Sequence, residues 1–132
     1  MSTKMAQNRV LIVEDEISIA KMIAMNLKVA GYETKMFHDG REAAEALEDE
    51  RAYDIALLDV MLPGMDGFAL FEIVRSYEIP VIFLTAKDDI NSKIQGLQGG
   101  AEDYIVKPFD MLELMVRMEK VLERTKKLGD VI

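Results

Sequence analysis

The stretch YDIALLDVMLPGMDGF, Tyr53 to Phe68, sets an apolar run, Ile55 to Leu58, directly against an acid, Asp59, and then a turn-rich segment, Pro63-Gly64-Met65-Asp66-Gly67. A short apolar run closed by turn signals is how a strand buried on both faces of a parallel sheet reads. A carboxylate has no place inside such a core. It does have a place where a strand leaves the core.

Working outward, similar apolar runs recur at Val10-Leu11-Ile12-Val13, Tyr32 to Phe37, Val81-Ile82-Phe83-Leu84 and Tyr104-Ile105-Val106. Longer amphipathic segments separate them. Residues 16–30 carry Ile19, Ile23 and Leu27 at helical spacing and stop at Gly31, a residue suited to the position after a helix. Asp39 with Glu42 resembles a capping box for a helix over about 40–50. Residues 66–76 and 88–99 read as two more helices, and Asp110 caps a last one through about Arg124. Strand and helix alternating five times predict an α/β domain with a doubly wound parallel sheet.

Composition narrows the class. At 132 residues the chain predicts one domain able to bury its own core. No apolar run approaches the ~20 residues of a membrane helix, so no membrane partner is expected. Met1 to Gln7 lacks the apolar centre of a secretory signal. With no cysteine there are no disulfides or thiolate metal sites, which fits a reducing, cytoplasmic setting. The net charge of −8 repels nucleic acid and anionic lipid. His38 is the only histidine, so neither a His-rich metal site nor a His-based triad is available within one chain.

In a parallel sheet the residues that follow each strand gather along one edge, where ligands of open α/β folds bind. Here those residues are Glu14, Asp15 and Glu16 after the first run, Asp59 after the third, Thr85 after the fourth, and Lys107 with Pro108 after the fifth. Two carboxylates ~4 Å apart repel by roughly 4 kcal/mol at an effective dielectric of 20. Such a cluster calls for a cation, and oxygen-only ligands favour a hard one, Mg²⁺ before Ca²⁺. Mg²⁺ commonly bridges to phosphate, and Lys107 and Thr85 suit phosphoryl oxygens. A carboxylate can be the nucleophile that forms an acyl phosphate. Asp59, central among these groups, is the natural choice.

The ordered set "VEDE", "LLDVMLPGMDG", "FLTA" and "VKPF" resembles the receiver domain of two-component response regulators, from about Arg9 to Arg124. The resemblance implies a flavodoxin-like five-stranded parallel sheet of order 2-1-3-4-5 with five helices. It also implies phosphorylation of Asp59 by a sensor histidine kinase. Mg²⁺ is then held by Asp15, Asp59, Glu14 and the backbone carbonyl of Met61. Thr85 and Lys107 contact the phosphoryl group, Tyr104 takes the aromatic switch position, and Pro108 is a cis-peptide candidate. The domain is expected over 9–124, after a polar lead over 1–8 and before a helix end or linker over 125–132. Activity is expected to be that of a phosphoacceptor switch, with at most self-phosphotransfer and autodephosphorylation.

Within that family, the winged-helix (OmpR-type) transcription factors pair charges across a face of the fourth helix, fifth strand and fifth helix. Lys93, Asp103, Glu113 and Arg117 occupy matching places, whereas Gln98 and Glu119 depart from the pattern. A homodimer on activation is therefore expected, with nucleic acid reached only through an output domain outside this chain. Two other functions compete. A phosphohydrolase of the haloacid dehalogenase type needs an acid where Met61 stands. A flavodoxin-like electron carrier needs a hydroxyl- and glycine-rich loop where Glu14-Asp15-Glu16 would repel a flavin phosphate. Asp66 reads as a helix cap and His38 as structural or solvated. Met111, Met115, Met118 and Leu122 read as packing at helical spacing.

Overall fold

The structure, a computed structural model, describes residues 8–86 and 99–125. The apolar runs form strands β1 (Arg9–Val13), β2 (Glu33–Phe37), β3 (Ile55–Asp59), β4 (Val81–Ala86) and β5 (Asp103–Lys107). They make one sheet of order β2-β1-β3-β4-β5, with every pair parallel. The described helices are α1 (Ile17–Val29), α2 (Gly40–Leu47), α3 (Gly67–Ser76) and a C-terminal helix (Met111–Arg124). The helix expected over 88–99, with Lys93, falls outside the described residues except for its last position.

Period-two alternation sends each strand's side chains to opposite faces. Val10 and Ile12 of β1 join Ile55, Leu57, Ile82 and Leu84 under α1 and the C-terminal helix. Leu11 and Val13 join Ala56, Leu58 and Phe83 under α2 and α3. Phe83 meets both Phe68 and Phe71 at 5.2 Å between ring centroids. Each fully buried Leu or Ile contributes about 1.5–3 kcal/mol, and both layers hold many of them, so the sheet is a stiff platform. Met118 and Leu122 are buried, with Met111 and Met115 packed against the same layer.

Strand β2 departs from the sequence expectation. It begins at Glu33 rather than Tyr32, and its residues are exposed or half-buried. As an outer strand it pairs only with β1, so it cannot be covered like β1, β3 and β4. Strand β5, at the other edge, has only Ile105 buried. Helices start where capping acids were read. Asp39 accepts from the amides of Arg41 and Glu42, Asp66 from Phe68, and Asp110 from Leu112. Each satisfies amides that a helix start leaves unpaired. Helix α2 ends at Leu47, short of the expected 50.

Candidate functional site

Parallel register brings the strand ends together. Asp59 is paired with Leu84, Thr85 with Val106, and Ala86 with Lys107. Among the described residues, the buried polar side chains are Glu14, Asp59 and Thr85, and all three lie at this one edge. The turn-rich segment shapes the ground beside them. Gly67 sits so close to the end of β3 that a Cβ there would meet the Val60 carbonyl, and the Asp59 carbonyl oxygen at 2.7 Å. Gly64 has φ of +79°, and a side chain there would strike the Asp39 carboxylate. The pair of glycines therefore lets the loop after β3 fold back onto the strand end.

Asp59 is 5% exposed. Its Oδ1 accepts from the Met61 amide at 3.0 Å, and its Oδ2 accepts from Lys107 Nζ at 3.0 Å. The same ammonium lies 2.8 Å from Glu14 Oε1 and 4.0 Å from Glu16 Oε1. The close approach to Glu14 is an ion pair without hydrogen-bond alignment, so Oε1 remains a buried oxygen lacking a hydrogen bond. Glu14 Oε2 accepts from the Glu16 amide at 3.0 Å. Burial pushes the Glu14 carboxyl up to about 7, and the neighbouring Lys107 ammonium and the hydrogen bond from the Glu16 amide only partly oppose it. For Lys107 burial acts to lower the ammonium, but Glu14 and Asp59 outweigh it and the group ends raised.

Two features show unmet chemistry. Thr85 Oγ1 is buried with no hydrogen-bond partner among the described residues, and an orphaned buried hydroxyl costs about 1–3 kcal/mol. Glu14, Asp15 and Asp59 each bring a carboxylate oxygen within 4.8 Å of the others. Asp15 is exposed and, with Met61, Leu62 and Asp66, lines an open depression of about 620 Å³. This all-oxygen set fits a hard divalent cation. The residues thus fit Mg²⁺.

The remaining predicted residues are near but separate. Tyr104 is half-buried and packs against the α2–α3 layer. The Lys107–Pro108 peptide bond is cis. Arg117 pairs within its own chain, 3.1 Å from both Asp103 and Glu113. One residue read from sequence as structural or solvated also stands at this edge, with a partner the sequence did not name. His38, just past β2, places Nδ1 2.9 Å from the Glu14 carbonyl oxygen. Its position after a strand, like that of the acids, was the available signal.

Residues 10–119 match the family described as the response regulator receiver domain, and the chain belongs to that family. The chain is 42% identical over 120 residues to the transcriptional regulatory protein PcoR of Escherichia coli, covering 89% of this chain and 53% of that protein. It is 44% identical over 117 residues to the transcriptional activator protein IrlR of Burkholderia pseudomallei, covering 88% and 51%. The chain therefore spans about half the length of these curated relatives. Among solved structures, the receiver domain of the Francisella response regulator 1452 superposes with a TM-score of 0.81 at 36% identity, covering 90% of this chain and 99% of that one. A CheY-like receiver domain protein from Methanospirillum hungatei superposes with a TM-score of 0.86 at 28% identity, covering 94% and 100%. The chain is thus a receiver domain of a two-component response regulator.

Proposed function

We propose that Asp59 accepts a phosphoryl group from the phosphohistidine of a sensor kinase in the cytoplasm. The observation that carries this reading is a buried, nearly dry carboxylate bonded to a cation, at the same sheet edge as a buried hydroxyl that has no hydrogen-bond partner among the described residues. In the transfer, an Asp59 carboxylate oxygen forms a bond to phosphorus. The donor's P–N bond breaks, and the imidazole leaves with the electron pair and takes up a proton. Lys107 stays charged because its two acid neighbours outweigh its burial, so it can follow the new phosphoryl oxygens. Thr85 offers those oxygens its unused donor. When bound, Mg²⁺ would neutralise the acids and screen the incoming phosphate, held by Asp15, Asp59, Glu14 and the Met61 carbonyl.

The readout follows from the same hydroxyl. Movement of Thr85 toward the phosphoryl group vacates space, and Tyr104 turns inward. The face of the fourth helix, fifth strand and fifth helix then repacks. Before activation Arg117 is occupied by Asp103 and Glu113 of its own chain. Exchange of those pairs for partners on a second copy, with Lys93, makes a weak, salt-sensitive homodimer. The names of the PcoR and IrlR relatives support a transcriptional output in a domain outside this chain, and the charge pattern of Asp103, Glu113 and Arg117 favours the winged-helix type for it.

Incubation with acetyl phosphate and Mg²⁺ should add one phosphate by intact mass. Asp59→Asn should abolish that gain, and unchanged labelling in the variant would remove Asp59 from the reaction.

A further inference from the structure

We propose that His38 is a positioning residue that braces the two loops of the acidic site against each other. The inference rests on the Mg²⁺ and phosphoryl reading above. A carbonyl oxygen only accepts, so the 2.9 Å contact between His38 Nδ1 and the Glu14 oxygen requires the proton on Nδ1. On its other side the Glu14 amide donates to the Phe37 carbonyl at 3.0 Å. The main chain of Glu14 is therefore pinned through both its amide and its carbonyl by consecutive residues at the end of β2.

The carbonyl contact acts on Asp15. The Glu14 carbonyl, the Asp15 amide nitrogen and the Asp15 Cα share one rigid peptide plane. Fixing that oxygen fixes the origin of the Asp15 side chain. Asp15 is exposed, and its carboxylate makes no hydrogen bond among the described residues, so little else sets its direction. The same turn reaches the opposite loop. The Gly40 amide donates to the Pro63 carbonyl at 2.9 Å, and the Asp39 carboxylate lies against Gly64. His38 to Gly40 thus ties the loop bearing Glu14 and Asp15 to the loop bearing Met61. Partners of this kind, which touch no ion but hold the groups that do, set metal affinity.

The test is calorimetric titration of MgCl₂ into the 132-residue chain and its variants. An Asn side chain places its amide nitrogen as many bonds from Cα as Nδ1, whereas Gln places it one atom further, where Nε2 lies. His38→Gln should weaken Mg²⁺ about tenfold, while His38→Asn should stay within about twofold of wild type. Labelling of His38→Gln by acetyl phosphate should recover at saturating Mg²⁺. Thermal unfolding in chelator establishes that both variants fold. A His38→Gln that titrates like wild type overturns the proposal, as does a His38→Asn as weak as His38→Gln. A wild type that shows no Mg²⁺ binding overturns the site reading itself, and this inference with it.

Discussion

Where the strands begin, Arg9 gathers acids in the open; where they end, Lys107 gathers acids in the dark. At the first edge Arg9 pairs with Glu50, approaches Glu33 at 3.6 Å, donates to the Ala52 carbonyl, and lies 4.7 Å over the Tyr53 ring. Its backbone amide donates to Asp54 at 2.8 Å. Its side-chain partners Glu33 and Glu50 are about half exposed, 54% and 52%, so water finishes what the arginine leaves undone. At the second edge the Lys107 side chain is 19% exposed and the side chains of its partners Glu14 and Asp59 are 0% and 7% exposed. Burial keeps water from these groups, and among the described residues an oxygen of Glu14 and the Thr85 hydroxyl have no hydrogen bonds. Similar groups at two ends of one sheet thus serve differently. Exposed pairs add little to stability, while a buried, incompletely satisfied set costs stability unless its charges are compensated.

The largest expected effect comes from removing the buried cation. Lys107→Met leaves Glu14 and Asp59 facing each other without a counter-charge. Denaturant unfolding at pH 8 in chelator should show a loss of about 3 kcal/mol. A loss under about 1 kcal/mol would mean that solvent or rearrangement screens the acids far better than their burial implies.

Next in size is a pH effect. Glu14 sits at about 7 in the folded protein against 4.5 as its ordinary value. The folded state therefore binds more protons in that window, and stability falls as pH rises from about 4.5 to 7. Without Mg²⁺, Glu14→Gln should flatten this fall, by as much as about 3 kcal/mol over the window relative to wild type. Parallel stability curves for the two proteins would contradict burial as the dominant influence on Glu14.

The smallest effect belongs to the open edge. Glu50→Gln should change stability by at most about 1 kcal/mol, and the difference should shrink in high salt. A loss comparable to that of Lys107→Met would erase the contrast between the edges.

Much of this was legible in the chain itself. The runs at Val10, Ile55 and Val81 became the central strands because burial on both faces leaves an unbroken apolar signature. Asp39, Asp66 and Asp110 cap helices because capping is a contact across two or three residues. Asp59, Thr85 and Lys107 share an edge because parallel strands bring their ends together whatever the loops do.

Other facts needed the tertiary structure. The exposure of β2 depends on its place at the sheet edge, which a run such as Thr34 to Phe37 does not encode. Complete burial of Glu14, two residues from exposed Glu16, follows from what packs over it. The His38 contact joins a side chain to a main-chain carbonyl 24 positions away, and a carbonyl is present at every residue and so marks none. Arg117's pairing with Asp103, 14 positions away, is likewise a matter of reach within the folded chain. Local chemistry and strand direction are written in sequence order. Solvent access and long-range partners arise only when distant segments exclude water together, and that is where the acidic site acquires its unmet charge.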